Sequence, residues 1–383
     1  MSSPVLDFSL KLHEFLNRYW YQHLIQFNTG KKKMPIVTTH ASTKATFLTL
    51  TSILIMIIPC AIVSILEYFR QSGEIPLVVL FLYVAVTMVG IIEIILYLII
   101  LQHPEIAINI RWFMPFVESQ FRETVQMNIK SFDTIDAAGI ISATLTFGMI
   151  LPVGVVPILS LVTDLDPYWP ILAYYAPSIS SSFYMRFLRA CLSFIGTLEI
   201  LRSSNNLFFY GLLPLSTCQR ILKGLIVNIY REKSLISLYT QLQLTFKDVH
   251  SALMKSNCTA LVGLYCVLSV TAWITVTWLN QFPLIISIQI MGILSVQSGM
   301  AFVFTTCCSN LSKNSWKLVA NKRRLFYSKN RRGMWETFVM WKVWKARSHI
   351  SVPYGIALEF NKNTPLEYFS SLSTNVVNML LLF

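Results

Sequence analysis

Residues 75–101 read IPLVVLFLYVAVTMVGIIEIILYLIIL and contain a single charged side chain, that of Glu93. A helix needs about 20 mostly apolar residues to cross the hydrocarbon core of a bilayer, and this stretch exceeds that length. An apolar core helix of a soluble domain is usually shorter and carries polar residues along one face. The stretch therefore predicts a transmembrane helix, and this prediction decides the fold class.

Six further runs are predicted to span the membrane. They lie at 45–68, 135–162, 171–201, 258–279, 283–308 and 366–383. The fourth span, 171–201, contains three charged residues, and the seventh, 366–383, is short. The composition agrees with them, because the chain has 54% hydrophobic and 13% charged residues, whereas a soluble domain carries about 25% charged residues. We therefore predict an all-α membrane protein with seven transmembrane helices.

The 31 Lys and Arg residues are distributed unevenly around these runs. All except Arg70, Arg186 and Arg189 lie in the N-terminal segment or in every second loop. Basic loops are retained on the cytoplasmic side, so the pattern predicts a cytoplasmic N-terminus and an extracellular C-terminus. Loops that face an anionic membrane leaflet also account for the net charge of +13, which makes membrane lipid, and not nucleic acid, the expected partner of these charges.

The chain divides into four predicted regions. They are a cytoplasmic segment at 1–44, a six-span bundle at 45–308, a basic cytoplasmic helical region at 309–365 and the seventh helix at 366–383. In the first region, the apolar residues between Leu10 and Phe27 have helical spacing, which predicts an amphipathic helix at the inner interface. We expect spans four to seven to continue as helices into the cytoplasm and to pack there. The predicted external loops are short, so an external ligand has to enter between the helices.

The fourth run contains two arginines, Arg186 and Arg189, which are three residues apart and share a helix face. A charge at the middle of a bilayer costs roughly 2.5–3.5 kcal/mol on insertion scales. Either this face lines a wet cavity and binds a polar ligand, or the arginines pair with a carboxylate or extend towards the interface. Glu93 is a candidate for the same cavity and an equally good candidate for the buried partner of an arginine.

Several aromatic residues lie near the predicted outer ends of the spans. Tyr174, Tyr175 and Trp273 belong to this group, and it is typical of an interfacial belt. The alternative is that these rings form the walls of a largely apolar ligand cavity. The candidate pocket residues are therefore Arg186 and Glu93 together with Tyr174, Tyr175 and Trp273.

Sequence signatures of catalysis and metal binding are absent from the chain. The six His residues are scattered, and no HExxH, CxxC, GxxxxGK[ST] or GxSxG pattern occurs. We expect neither an enzyme nor a cofactor or metal site. None of the seven cysteines lies in a predicted external loop, so we also expect no structural disulfide.

The C-terminal stretch 351–383, SVPYGIALEFNKNTPLEYFSSLSTNVVNMLLLF, resembles the end of the arthropod gustatory and odorant receptors. In that superfamily the final helix closes with a Thr-Tyr-hydrophobic-Gln-Phe signature. Phe383 and the spacing match, whereas Asn375, Val376 and Leu382 stand at the Thr, Tyr and Gln positions. The resemblance in sequence covers this stretch alone. The resemblance in organisation, with seven spans, an internal N-terminus and short outer loops, covers the whole chain.

The resemblance implies a chemosensory receptor that acts as a ligand-gated, non-selective cation channel and responds to a small organic molecule, a tastant or an odorant. Four related subunits, identical or different, would form a tetramer in the plasma membrane, anchored by their cytoplasmic helices. The final helix of each subunit would line the pore, which places the gate at Met379, Leu382 and Phe383. Asn375 and Asn378 would either make ordinary interhelical hydrogen bonds or face the pore as polar rings.

Three other protein classes are consistent with a polytopic chain. A G-protein-coupled heptahelical receptor predicts an external N-terminus, a disulfide to an external loop and a charged triplet after the third span. Residues 163–170, TDLDPYWP, contain no basic residue and no Cys, which argues against it. A small-molecule transporter predicts paired broken helices in two halves, and the sequence has no such repeat. A scaffold without a pore is the last alternative.

Overall fold

The computed structural model describes part of the chain. The described residues are 25–28, 36–39, 43–70, 75–103, 116–117, 119–121, 153–158, 160–162, 166–180, 182–227, 232–278, 284–330, 335–354 and 358–382. The two N-terminal elements are strands, β1 (Ile25–Asn28) and β2 (Ile36–Thr39), which pair antiparallel with Ile25 opposite Thr39. The all-α prediction missed this sheet, because each strand has only four residues and the first, IQFN, contains a single β-branched residue, which is a weak strand signal. Phe27 lies in β1, and the rest of the predicted amphipathic helix lies outside the described residues.

The first two predicted spans are long helices that pack tightly against each other. They are α1 (Thr43–Arg70) and α2 (Leu77–Gln102). Gly90 of α2 lies against Ile57 of α1 so closely that a Cβ atom at Gly90 would overlap the isoleucine side chain. On another side of α2, a Cβ at Gly263 would lie 2.5 Å from the side chain of Ile92. Small residues at helix contacts let backbones approach closely, as is usual within membranes.

The predicted fourth span, 171–201, is not one continuous helix. It consists of α3 (Tyr168–Tyr175), α4 (Pro177–Ser180) and the beginning of α5 (Phe183–Val227). Pro177 starts α4, which is the position where the missing N–H of proline does least harm. The third predicted span, 135–162, is described only near its end, where Val153–Val162 is helical.

The C-terminal half continues with five helices. They are α6 (Glu232–Asp248), α7 (His250–Trp278), α8 (Leu284–Asn330), α9 (Trp335–Ala346) and α10 (Thr364–Leu382). At 1.5 Å per residue, the 47 residues of α8 extend about 70 Å, more than twice the thickness of a bilayer core. Helices α5 and α8 are therefore longer than a membrane crossing requires, as predicted for helices that continue beyond spans four and six.

Four helical segments among the described residues are long and apolar enough to cross a membrane. They are Thr46–Phe69, Val79–Gln102, His250–Thr277 and Ile290–Tyr327. They coincide with four of the seven predicted spans, so the chain is a multi-pass membrane protein in its described part. The count of seven spans and the orientation of the two termini remain predictions.

The core consists of two main clusters of buried side chains. One joins α1, α2 and α5 inside the predicted bundle and includes Ile53, Tyr97 and Phe209. The other lies mostly outside the predicted spans, where Leu222 of α5, Tyr239 of α6 and Trp344 of α9 meet α8. The helical extensions therefore pack together, as expected from the sequence. All seven cysteines belong to the described residues, and each is a free thiol.

Candidate functional site

The beginning of α5 presents two contrasting faces. Phe183, Tyr184 and Phe187 are exposed on one side, as expected for side chains that meet lipid. Arg189 is 1% exposed on the opposite face, and Arg186 lies one turn before it and is half-buried. The arginine face therefore points into the protein and away from the lipid side.

Arg189 forms a buried ion pair with Asp166. Its Nη1 atom lies 3.0 Å from the Oδ2 atom of Asp166, and both side chains are 1% exposed. The Oδ1 atom of Asp166 accepts hydrogen bonds of 3.1 Å from the backbone N–H groups of Tyr168 and Trp169, so it also caps the start of α3. The guanidinium of Arg189 lies 4.8 Å from the ring centre of Trp169. A buried ion pair needs such additional partners to offset the loss of hydration.

Burial raises the pKa of the Asp166 carboxyl, and the Arg189 guanidinium together with the two backbone amides limits the rise. Two further hydrogen bonds connect helices in this region, one from α3 to α1 and one from the helical segment Val153–Val162 to α5. The hydroxyl of Tyr168 donates to the backbone carbonyl of Ile55 in α1 at 2.8 Å, and Ser160 donates to Ser193 of α5 at 3.1 Å. Elements that are distant in sequence therefore meet at the N-terminal end of α5.

Arg186 differs from Arg189 in its surroundings. Its Nε atom is buried and has no hydrogen-bond partner within the described part of the chain. Of the two interpretations from the sequence, pairing with a carboxylate holds for Arg189, while Arg186 keeps a hydrogen-bond donor directed into the protein. The sequence could not supply the partner Asp166, because it lies in a predicted loop. Its only signal was a carboxylate in a loop without any basic residue.

Glu93 lies deeper in the bundle and does not pair with either arginine of this site. It is 3% exposed and accepts a hydrogen bond from the hydroxyl of Ser204 in α5. Its other oxygen is buried without a hydrogen-bond partner among the described residues. Nearby on α5, Glu199 and Arg202 are paired at 3.5 Å and are both buried. The hydrogen bond between Glu93 and Ser204 is therefore a second buried polar contact, and it connects α2 to α5.

The three candidate aromatic residues occupy two different environments. Tyr174 and Tyr175 are 54% and 71% exposed, and their rings meet edge to face at 4.8 Å. Trp273 is 1% exposed and packs edge to face on Phe81 of α2 at 4.6 Å. The tyrosines match the interfacial interpretation, whereas Trp273 is part of the core.

Trp273 also connects the bundle to the end of the terminal helix. Met379 and Leu380 of α10 pack against the cluster that contains Trp273 and Phe81. The last turns of α10 therefore share one apolar cluster with residues of α2 and α7. The structure brings Trp273 and Met379 together, but leaves both apart from Arg186 in the contacts it describes.

Helix α10 packs on α7 through one face only. Asn375 donates a hydrogen bond of 3.0 Å from Nδ2 to the hydroxyl of Ser269, and the hydroxyl of Tyr265 donates to the Ser371 carbonyl at 3.0 Å. The opposite face is exposed and mostly polar. Its polar members include Glu367, Ser370, Ser373, Thr374 and Asn378, and its apolar members are Leu366, Val377 and Leu381.

The structure therefore distinguishes Asn375 from Asn378, which the sequence left equivalent. Asn375 makes an interhelical hydrogen bond, while Asn378 is exposed beside Leu381, whose side chain is 81% exposed. Leu382 is the last residue of α10, and Phe383 lies outside the described residues. An unpartnered polar helix face is the surface that pore lining requires.

No family model matches the chain, and no curated protein is similar to it at a significant level. Solved structures do match it. The insect olfactory receptor OR5 from Machilis hrabei superposes with a TM-score of 0.62 at 11% sequence identity, over 99% of this chain and 97% of the receptor. The structure of that receptor in complex with eugenol superposes with a TM-score of 0.62 at 10% identity, over the same shares of both chains. The chain therefore has the fold of an insect olfactory receptor along its whole length.

Proposed function

We propose that this chain is a subunit of a chemosensory receptor, gustatory or odorant, that works as a ligand-gated, non-selective cation channel. The observation that carries the proposal is the fold similarity to an olfactory receptor over the whole chain. A shared fold alone does not assign activity, so the exposed polar face of α10 and the polar site at the N-terminal end of α5 are the supporting observations. Related subunits, identical or different, complete a tetramer in the plasma membrane.

The terminal helix supplies the pore in this proposal. Around a central axis, the exposed face of α10 places hydroxyl and amide groups of Ser370, Thr374 and Asn378 towards the permeating ion. Leu382 and Phe383 follow at the end of the chain, where a ring of apolar side chains closes a pore by excluding water. Met379 packs against the core instead, and thus links the gate to the bundle.

The ligand pocket lies at the N-terminal end of α5. The buried Nε of Arg186 donates to a carbonyl, ether or carboxylate oxygen of the ligand, and this contact replaces the partner it lacks in the described residues. The buried pair of Arg189 and Asp166 holds the first turns of α3 and α5 in place around it. The receptor with the similar fold has been solved in complex with eugenol, a small oxygen-bearing aromatic molecule. A ligand of this class suits a site with one donor among apolar walls.

In this proposal, Trp273 couples ligand binding in the pocket to opening of the gate. It lies between Phe81 of α2 and the last turns of α10. A ligand that shifts the bundle helices changes the support of Met379 and therefore the position of the pore face. Closely packed cores switch between discrete arrangements and do not deform smoothly, which allows a small shift to open a gate.

Whole-cell recording tests the proposal. The chain is expressed in cells without endogenous receptors, alone and together with a broadly acting olfactory co-receptor, and is exposed to a panel of oxygen-bearing aromatic and aliphatic compounds. The expected result is a rapid inward cation current without dependence on G-protein inhibitors. Evoked responses that G-protein inhibitors abolish would contradict the channel function.

A further inference from the structure

A cleft of about 320 Å³ opens in the helical region that lies beyond the predicted membrane spans. One wall is a stripe of α8, and the other is the extended segment that follows α9. The lining residues are Trp316, Val319, Ala320, Arg323, Arg324, Ser348 and His349. Its volume lies at the lower end of the range of small-molecule sites, which begins at about 300 Å³.

The cleft is held open by hydrogen bonds on both sides. Arg323 donates from Nε to the Trp344 carbonyl at 3.0 Å and from Nη2 to the Arg347 carbonyl at 2.6 Å, which fixes the end of α9. The hydroxyl of Tyr239 donates to the carbonyl of Ser348 at 2.9 Å. The wall that carries Ser348 and His349 is therefore preformed and needs no ligand for its shape.

The lining of the cleft is positively charged, because it contains Arg323 and Arg324 and no acidic residue. Glu336 and Glu359 are the only acidic residues of the whole segment 309–365. Glu359 lies 3.8 Å from His349 and accepts a hydrogen bond from Ser351, so it is engaged at the rim. Arg324 is exposed, and within the described part of the chain it has no acidic partner. An exposed arginine without an acidic partner presents two coplanar N–H donors that fit a phosphate group.

The cleft also contains an apolar surface that a bare anion would not use. Trp316 is 61% exposed, and the buried Val319 lies one helical turn further along α8. An exposed tryptophan is a platform on which a planar ring stacks. Cationic groups at one end and an aromatic face at the other favour a ligand that combines a phosphate with a ring.

The distance of the cleft from the predicted end of the sixth span shows whether its phosphate could belong to a lipid headgroup or has to belong to a soluble ligand. The sixth predicted span ends at Cys308, and at 1.5 Å per residue Trp316 lies about 12 Å and Arg324 about 24 Å beyond it. The headgroup layer of one leaflet is only about 5–8 Å thick. A phosphate attached to a lipid therefore does not reach Arg324.

We propose that this cleft binds a soluble phosphate monoester that carries a planar ring, such as a mononucleotide. The phosphate is bound by Arg324 with hydrogen bonds from Ser348 and His349, and the ring stacks on Trp316. The proposed site belongs to the helical region beyond the predicted spans and shares no residue with the proposed ligand pocket, so binding can be tested without recording channel activity.

Calorimetric titration of the purified full-length protein tests the site, with adenosine 5′-monophosphate, inorganic phosphate and adenosine as probes. The protein is placed in nanodiscs of phosphatidylcholine alone or with phosphatidylinositol 4-phosphate. We expect the monophosphate to bind in both nanodiscs, more tightly than either fragment. Arg324→Gln weakens this binding roughly tenfold, because a charge-assisted contact is lost.

The matched control is Lys317→Gln, which removes one positive charge from an exposed position of the same helix outside the cleft. It changes binding less than about twofold, because an exposed charge is well screened. Trp316→Ala weakens binding of the nucleotide and leaves binding of inorganic phosphate unchanged. Equal losses in Arg324→Gln and Lys317→Gln, binding of neither the monophosphate nor phosphate, or displacement of the monophosphate by the phosphoinositide nanodiscs would each overturn the proposal.

Discussion

The N-terminal end of α5 and the exposed face of α10 place polar side chains in opposite environments. At α5, Arg189 and Asp166 are buried and are paired within one chain. At α10, Thr374 and Asn378 are exposed, and the helix uses only its other face to contact α7. Polar groups inside a membrane are expensive unless they have partners or water.

The two regions differ in the partners that their polar groups need. The buried ion pair needs residues of one chain only, whereas the exposed face of α10 needs other subunits or water. The pocket region has its structural ion pair inside the subunit, so it can form before subunits associate. The polar face of α10 is exposed on the single chain, and in the proposed tetramer neighbouring subunits and water cover it. In the proposed receptor, ligand recognition therefore belongs to the single chain and conduction to the tetramer.

The largest expected effect comes from breaking the buried pair. Arg189→Leu or Asp166→Leu leaves one charge buried without its partner, which destabilises the protein by about 3–5 kcal/mol. We expect either single variant to lower the melting temperature strongly and to reduce surface expression. Fluorescence-detected thermal denaturation in detergent measures the change.

The matched control for this experiment is the double variant Asp166→Leu with Arg189→Leu. Replacing both members of a buried pair by apolar residues is often nearly neutral, so the double variant recovers most of the lost stability. If the double variant is as unstable as the single ones, the pair does not account for the structure of this region.

The next effect concerns the gate. Leu382→Gln and Phe383→Ala each remove an apolar side chain from the proposed closing ring, so the closed pore holds water more readily. We expect basal current to rise severalfold at equal surface expression, recorded in whole cells without ligand. Tyr175→Ala, a change at an exposed position of α3, serves as the control and leaves basal current unchanged. Identical basal currents in all three variants would place the gate elsewhere.

A smaller effect is expected at the ligand contact. Arg186→Ala removes the donor proposed to bind the ligand, and the loss of a charge-assisted hydrogen bond of about 1.5–3 kcal/mol raises the half-maximal ligand concentration roughly 10- to 100-fold. Stability changes little, because the Nε of Arg186 has no partner among the described residues. Tyr184→Ala on the exposed face of the same turn is the control. A dose–response curve of Arg186→Ala that superposes on wild type would exclude this contact.

The smallest effect separates the two asparagines. Asn375→Ala removes an interhelical hydrogen bond to Ser269 and lowers stability by about 0.6 kcal/mol, the average for such bonds in a membrane protein. Asn378→Ala has no effect on stability and changes single-channel conductance instead. Thermal denaturation and single-channel recording of both variants distinguish the roles, and a conductance change confined to Asn375→Ala would reverse them.

The sequence predicted the helical membrane fold because long apolar runs are a strong signal, as residues 75–101 show. It also predicted that α5 and α8 extend past the bilayer. It could not predict the partner of Arg189, because Asp166 belongs to a separate loop and only the tertiary structure brings the two together. For the same reason it treated Asn375 and Asn378 as equal, although α7 covers only one of them.

Cysteine accessibility on intact cells tests the central claim, that the exposed face of α10 lines a pore reached from the extracellular side. Asn378→Cys and Asn375→Cys are expressed separately, and ligand-evoked current is recorded before and after an external, membrane-impermeant, positively charged thiol reagent. We predict that the reagent blocks current through Asn378→Cys, and that wild type and Asn375→Cys retain theirs. Block of Asn375→Cys together with an unaffected Asn378→Cys would contradict this claim.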